Sequence, residues 1–131
     1  MTSSPSDSGY EFTFLAEVRD EASQLPEDVR RALAVIVVKL HTNPWLGEEL
    51  DDRPPRILHG CRKIRFDAPG HRGKPRYRLI YRDEPTDGAP GTMVVLAVGE
   101  RRNMIAYAKA QTRHARRLRE QAGEVTRRRD S

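Results

Sequence analysis

The feature that most constrains this fold is an uninterrupted apolar run of strand length, from Met93 to Val98. Gly99 closes the run, and a segment rich in proline, glycine and acidic residues precedes it from Glu84 to Gly91, which predicts a loop. Strands that are apolar on both faces lie inside a sheet and are covered by other elements. We therefore expect Met93–Val98 to be a strand in the centre of a β-sheet.

Three other segments alternate apolar and polar side chains with a period of two, which is typical of half-buried strands. They are residues 10–14, 57–66 and 77–82. The intervening segment 68–75 contains two glycines and two prolines and predicts a turn. The chain therefore has four predicted strands, and the last three follow one another directly.

The segment between the first two strands has the apolar spacing of helices. Apolar residues recur every three or four positions from Leu15 to Leu25, which predicts a helix with one apolar face. Pro26 is tolerated at the start of a second helix, and Asn43-Pro44 ends it. The two helices are expected to form a hairpin, and a third helix is predicted over residues 103–120.

This order of elements predicts an α+β sandwich in a single domain. The length of 131 residues suits one domain, since domains most often have about 100–150 residues. We expect a disordered leader over residues 1–9, one domain over 10–120 and a basic, disordered tail over 121–131.

Charge and cysteine content narrow the classes of function. The 24 lysines and arginines outnumber 19 acidic residues, which favours a polyanionic partner, although a soluble domain can also carry such an excess without binding one. A single cysteine, Cys61, excludes an internal disulfide, and no Cys/His spacing indicates zinc. No apolar run approaches the ~18 residues of a membrane span. We therefore expect a cytoplasmic protein with no metal, no small-molecule cofactor and no membrane contact.

Several basic residues are expected to meet on one face of the sheet. Alternate side chains of a strand share a face, so Lys63 and Arg65 project together, and Arg78 joins them if the two strands pair. Arg101 follows the last strand, and Tyr107 lies about a turn and a half of helix later. Such a face suits RNA, because cations neutralise phosphates and an exposed tyrosine stacks on a base. The alternative is an ordinary solvated sheet face, with Tyr107 in the core.

Three segments in succession resemble the motifs of the RelE/ParE toxin superfamily. They are Gly60–Phe66, Tyr77–Arg82, and Val98-Gly99-Glu100-Arg101 followed by Tyr107. The helical hairpin with Leu25-Pro26 and Asn43-Pro44 is similar too, so the resemblance extends from about Tyr10 to about Arg113. Each motif is weakly specific, and their order and spacing together are more so.

The resemblance implies a fold and a partner. The fold is a four-stranded, mainly antiparallel sheet packed against an N-terminal helical hairpin, with a C-terminal helix. The partner is a cognate acidic antitoxin that masks the toxin. RelE-like members cleave messenger RNA on the ribosome without a metal, whereas ParE-like members poison DNA gyrase and usually lack the basic catalytic set. Because that set is present here, the RelE-like activity is expected; a gyrase poison and a non-catalytic nucleic-acid-binding module are the alternatives.

The resemblance also implies roles for individual side chains in an attack of the ribose 2′-hydroxyl on the adjacent phosphorus. Lys63 takes the hydroxyl proton, Arg65 and Arg78 stabilise the phosphorane, and Arg101 steadies the leaving oxygen. Tyr107 stacks on a base or orients the hydroxyl. Family members often have a second lysine where this chain has Arg65, which stays protonated and is a poor base.

Other basic side chains near this face are expected to contact RNA without taking part in the reaction. They are Arg62, Arg76, Arg82 and Arg102. His71 lies in the loop between the two basic strands and Glu100 precedes Arg101, but neither is included in the catalytic set: an isolated loop histidine is usually exposed, and a carboxylate beside an arginine is usually an ion-pair partner.

Overall fold

The computed structural model describes the backbone of residues 11–50, 60–86 and 89–130, and the side chains of these residues except 84–86, 89–91, 103 and 124–130. The elements in chain order are β1 (Glu11–Phe14), α1 (Ala16–Ser23), α2 (Glu27–Thr42), β2 (Glu48–Glu49), β3 (Cys61–Phe66), β4 (Tyr77–Thr86), β5 (Ala89–Glu100), a 3-10 turn (Arg102–Met104) and α3 (Ile105–Asp130). Within the described part of the chain, no helix is both long and apolar enough to cross a membrane.

The strands form one mixed sheet in the order β1-β5-β4-β3-β2. β1 runs parallel to β5, and the other neighbours are antiparallel. The predicted α+β class and mainly antiparallel sheet are therefore confirmed, and Met93–Val98 lies in β5, an interior strand, where each side chain is at most 2% exposed. The sheet has a fifth strand, β2, that the sequence did not predict, because two glutamates carry no alternating pattern.

The loop predicted from Glu84 to Gly91 is too long, because both of its ends belong to strands. β4 continues to Thr86 and β5 begins at Ala89, with Glu84 opposite Thr92 and Thr86 opposite Ala89. Two long antiparallel strands continue their ladder into a segment of turn-forming residues, because tertiary pairing overrides local propensity.

Some predicted segments lie partly or wholly outside the described residues. The leader over residues 1–9 and the start of the second predicted strand, at Ile57 and Leu58, lie outside them. The backbone of α3 continues to Asp130, so the predicted tail over 121–131 begins inside this helix. The division into leader, domain and tail stays a prediction.

The sheet is covered on both faces. Val18 of α1 and Leu33 of α2 belong to a core cluster that includes Leu79 and Tyr81 of β4. On the opposite face, residues of α3 pack on the side chains with the other parity, among them Ile80 and Leu96. Because residues of a strand alternate between faces, the even-numbered residues of β4 from 78 to 82 lie on the side of α3.

Ion pairs fasten α3 to α1. The Arg113 guanidinium donates two hydrogen bonds of 2.8 Å to the Glu21 carboxylate and one of 2.9 Å to the carbonyl oxygen of Leu96. Lys109 Nζ lies 2.9 Å from the same carboxylate. Burial of Glu21 opposes its ionisation, but the hydrogen bonds from Arg113 and Lys109 outweigh this, so the pKa of its carboxyl lies below the ordinary 4.5. This network joins α3 to the rest of the fold.

We predict that Glu21→Gln lowers the free energy of unfolding at pH 7 by about 2–3 kcal/mol, because the largely buried Arg113 loses its nearest counter-charge and keeps only Glu17, at 3.7 Å. The matched control is Glu120→Gln on α3, whose carboxylate is 56% exposed in its ion pair with Arg117. This change is expected to cost at most about 0.5 kcal/mol. Urea unfolding of both variants measures the difference.

The effect of Glu21→Gln also depends on pH. The folded-state pKa of Glu21 is lowered, so its stabilisation is complete above the unfolded value of 4.5 and is lost as the pH falls through the folded value. The stability gap between the parent and Glu21→Gln is therefore expected to close in acid. Equal effects of the two glutamine substitutions at pH 7 would show that the network does not anchor α3.

Candidate functional site

Three of the predicted catalytic side chains lie on the face of the sheet that α3 occupies. Arg65 of β3 is directly opposite Arg78 of β4, and Lys63 is opposite Ile80. Ile64 is packed on the other face, against the helical hairpin. Lys63 is the diagonal neighbour of Arg78, and such neighbours lie about 7–8 Å apart. Strand pairing thus brings a lysine and two arginines together.

Arg78 is a buried cation without an ionic partner among the described residues. Arg78 is only 5% exposed. One terminal nitrogen, Nη1, donates hydrogen bonds of 2.9 Å to the carbonyl oxygens of Pro75 and Tyr77, while Nε is buried with no hydrogen-bond partner. A buried guanidinium without a counter-charge costs free energy. An anionic ligand beside it would remove that cost.

A cleft of about 650 Å³ is lined by residues next to Arg78 in the chain, although not by Arg78 itself. This volume falls in the range of about 300–1,000 Å³ that is common for ligand sites. Its lining residues come from the turn before β4 and from the segment after β5: Lys74, Pro75, Arg76, Glu100, Arg101, Arg102 and Met104. Pro75 lines the cleft and also accepts a hydrogen bond from Arg78 through its carbonyl oxygen, so this residue connects the cleft to the buried guanidinium.

Backbone hydrogen bonding holds Arg101 at this cleft. Its amide N–H donates to the carbonyl oxygen of Arg76 over 2.7 Å. Both Arg101 and Arg102 are exposed. The predicted catalytic Arg101 therefore lies at the same end of the sheet as Arg78, and Arg102 joins it, as the sequence suggested.

Asp67 closes the loop between β3 and β4. It accepts hydrogen bonds of 2.9 Å from the backbone N–H, Nε and Nη2 of Arg76, and its side chain is 5% exposed. The Arg76 guanidinium holds the pKa of the Asp67 carboxyl well below its usual range. His71 Nε2 lies 3.4 Å from the same carboxylate. Arg76 thus lines the cleft with its charge already balanced, and its main contribution is to fix the loop.

Two predicted RNA contacts lie elsewhere. Arg62 is on the opposite face of the sheet, where it donates to the Gly47 carbonyl over 2.8 Å and to Glu49 over 3.2 Å. Arg82 is 7% exposed beneath α3, with Nη1 3.1 Å from Nδ1 of His114. Strand alternation accounts for Arg62, and the position of α3 over β4 accounts for Arg82. Arg82 is therefore buried, whereas the Arg62 side chain is partly exposed on the face of the sheet opposite Arg78.

The expectation of an exposed aromatic rim was also wrong. Tyr107 is 5% exposed and belongs to the core cluster between α3 and the sheet. Ala106 and Ala110 lie in the same cluster, so this face of α3 points inward. Tyr107 therefore supports the helix that follows the cleft and does not offer a surface for stacking. The small residues around it were the signal for a buried helix face.

Two further residues bear on the chemistry. Burial raises the pKa of the Cys61 thiol to about 12, which excludes it as a nucleophile near neutral pH. Lys74, which sequence reasoning did not single out, lines the cleft. A lone lysine in a loop carries no pattern, and only the path of the loop brings it to Arg101.

No protein-family model matches this chain, and no curated protein matches it. Solved structures do match. A double mutant of the Escherichia coli toxin RelE in the free state has 24% identity and a TM-score of 0.55, over 80% of this chain and 97% of that one. The isolated E. coli RelE toxin in a P21 crystal form has 25% identity and a TM-score of 0.51, over 79% and 97%.

The intact E. coli RelBE toxin–antitoxin complex has 25% identity and a TM-score of 0.49, over 70% of this chain and 95% of that one. The first two likenesses extend over nearly the whole length of the RelE chain. The protein therefore has the fold of the RelE toxin.

Proposed function

We propose that this protein is the toxin of a toxin–antitoxin pair and that it cleaves messenger RNA on the ribosome. The observation that carries the proposal is the buried, uncompensated guanidinium of Arg78, with Lys63 and Arg65 beside it and Arg101 at the adjoining cleft. Such a cluster suits a phosphodiester, whose charge increases as it reacts. The RelE fold supports the same reading.

The proposed reaction is an internal transfer at phosphorus that needs no metal ion. Lys63 removes the proton of a ribose 2′-hydroxyl, and the oxygen attacks the neighbouring phosphorus. Arg65 and Arg78 stabilise the negative charge of the phosphorane. The bond to the 5′-oxygen breaks, Arg101 stabilises the charge on that oxygen, and a water molecule supplies its proton while Lys63 returns its proton to solvent. The products are a 2′,3′-cyclic phosphate and a 5′-hydroxyl.

Four of the five expected catalytic residues have a direct role in this scheme. The fifth, Tyr107, acts through α3, because its ring packs under the start of this helix, next to Ala106. The Cβ of Ala106 lies 3.9 Å from the position that a Cβ on Gly99 would occupy. Gly99 is paired with Arg78, so the packing of Tyr107 bears on the space beside that guanidinium.

The proposed partner that restrains the toxin is an acidic antitoxin. The chain has a formal net charge of +5 at pH 7, and Lys74, Arg101 and Arg102 are exposed at the cleft. An acidic segment seated there would offset these charges and exclude RNA, since opposite charge patterns favour association.

Cleavage is tested by adding the purified protein to a translation extract. We expect messenger RNA fragments with 2′,3′-cyclic phosphate ends, formed only when ribosomes are present. Lys63→Ala and Arg101→Ala are each expected to lower the cleavage rate by about 100-fold or more, since a general base or an electrostatic contact contributes at least this factor. Arg31→Ala, on the exposed face of α2, is the control and should cleave normally.

Messenger RNA that stays intact at protein concentrations that stop translation in the extract would contradict this assignment. A parallel supercoiling assay with DNA gyrase identifies the alternative. Stalled supercoiling with uncut RNA would place the protein with gyrase poisons, and RNA binding without either effect would make it a binding module.

The role of Arg78 gives a second test, which separates stability from function. We expect Arg78→Met to unfold within about 1 kcal/mol of the parent, because removal of an uncompensated buried charge offsets the lost hydrogen bonds. Phosphate ions or a non-cleavable RNA should stabilise the parent in proportion to RT ln(1 + [L]/Kd) and should not stabilise Arg78→Met. Thermal unfolding with increasing ligand measures this.

Arg82→Met is the matched control, since it removes an equally buried arginine that contacts His114. It is expected to respond to phosphate as the parent does. Equal stabilisation of Arg78→Met and Arg82→Met by phosphate would show that Arg78 holds no anion.

A further inference from the structure

A buried contact between an arginine and a histidine lies at the end of the α3 face away from the cleft. Arg82 of β4 and His114 of α3 are 7% and 5% exposed, and Nη1 of the arginine lies 3.1 Å from Nδ1 of the histidine. A guanidinium has only donors and stays protonated at any ordinary pH. Nδ1 of His114 must therefore accept this hydrogen bond, which requires a neutral imidazole with its proton on Nε2.

Protonation of His114 is incompatible with this contact. The added proton would bind Nδ1, turn the acceptor into a donor and leave two cationic groups with nitrogens 3.1 Å apart. Like charges at such a distance repel strongly where water is excluded. A histidine in solvent is half protonated at about pH 6.5. The docked helix therefore excludes a proton that the released His114 would bind close to neutral pH.

The described side chains of the sheet around His114 are neutral or cationic. On β3, Cys61 lies opposite Arg82, and burial raises the pKa of its thiol to about 12, so the thiol is uncharged near neutral pH. Lys63 is the next residue of β3 on this face. On β5, the residue opposite Arg82 is Val94, which is apolar. These groups do not favour a second positive charge at His114.

The charged residues of α1 and α3 near His114 are joined in ion pairs. The pairs are Glu17 with Arg116, Glu21 with Lys109 and Arg113, and Arg117 with Glu120. Burial of Glu21 opposes its ionisation, but the hydrogen bonds from Arg113 and Lys109 keep the pKa of this carboxyl below the ordinary 4.5. The ion pairs that anchor α3 to α1 therefore persist in the pH range where an exposed histidine takes up a proton.

His114 is the last buried residue in the described part of α3. Ala106, Tyr107 and Ala110 precede it and pack in the core cluster on this face, whereas residues 115–123 are partly or fully exposed. The contact with Arg82 is thus the final point at which the sheet encloses this helix. Its loss would release the segment that follows, while the apolar residues keep the start of α3 in place.

We propose that the contact between Arg82 and His114 is a pH-dependent switch, in which protonation of His114 releases the part of α3 after Arg113 from the sheet. At neutral pH the helix is docked and covers Arg82. Below about pH 6.5 the released state binds one more proton than the docked state, so the equilibrium constant for release rises by up to about tenfold for each pH unit. The switch concerns the closure of α3 and does not depend on the proposed RNA substrate.

Hydrogen exchange of the full chain, measured by mass spectrometry at about pH 5, 6 and 7 and corrected for the intrinsic exchange rates, tests the switch. In the parent, the protection of residues 114–123 is expected to fall by about tenfold or more from pH 7 to pH 5, because a short helical segment without its support frays. The protection of β5 is expected to stay constant, since the sheet remains folded.

Two glutamine substitutions separate this histidine from others. His114→Gln keeps an acceptor for Arg82 and cannot be protonated, so the protection of α3 is expected to be the same at every pH. His71→Gln is the matched control, because His71 lies in the loop between β3 and β4, 3.4 Å from Asp67. This variant is expected to keep the pH dependence of the parent.

The single cysteine of the chain provides a second readout. Cys61 is 1% exposed and packs in the core cluster with Ala106 and Ala110 of α3. Its rate of modification by 4,4′-dithiodipyridine is measured relative to the urea-unfolded protein at the same pH. We expect this ratio to rise by about tenfold or more from pH 7 to pH 5 in the parent and to stay constant in His114→Gln.

Three outcomes would overturn the switch. They are protection of α3 that does not change with pH in the parent, an equal change in His114→Gln, and a loss of protection in β5 together with α3, which would be unfolding of the whole domain. If circular dichroism shows that His114→Gln does not fold, Arg82→Met provides the same comparison, because it removes the cation that opposes protonation. A pH dependence in Arg82→Met equal to that of the parent would then overturn the proposal.

Discussion

The alternation of β4 between two buried faces is the constraint on which the rest of this structure depends. Leu79 and Tyr81 fill the core under the helical hairpin, so Arg78, Ile80 and Arg82 must face α3. A strand that is buried on both sides cannot turn its charged residues to solvent. The fold therefore has to accommodate two guanidinium groups beneath a helix. The two groups differ in their hydrogen-bond partners.

Several arginines of the protein have specific side-chain partners. Arg113 has the carboxylate of Glu21 and the carbonyl of Leu96, Arg76 has Asp67, and Arg82 has the His114 ring. Each of these arrangements joins two elements or closes a loop. Arg78 is different, because its hydrogen bonds go to two backbone carbonyls and one of its nitrogens is left without a partner. We propose that an anion from outside the chain binds this cation, which would remove the free-energy cost of burying its charge.

The two ends of β4 also differ on the face of the sheet that α3 covers. At one end α3 covers Arg82, and the Arg113 network anchors the helix to α1. At the other end the sheet opens into the cleft, where Arg101 follows β5 and the loop closed by Asp67 supplies the opposite wall. The helix α3 thus covers the end of this face at Arg82 and borders the candidate site at the end with Arg78.

The amino-acid sequence by itself determined the order and type of the main elements, because hydrophobic periodicity is a local property: alternation marks β1, β3 and β4, and a period near 3.6 marks the helices. It also determined that Lys63, Arg65 and Arg78 share a face, since strand parity needs only the pairing of two strands. Tertiary structure decided which face α3 covers, and with it the burial of Arg82 and Tyr107. It also brought Asp67 to Arg76 and Glu100 into the cleft, because such contacts depend on how the loop between β3 and β4 closes and on how the strands pair, for which no local pattern exists.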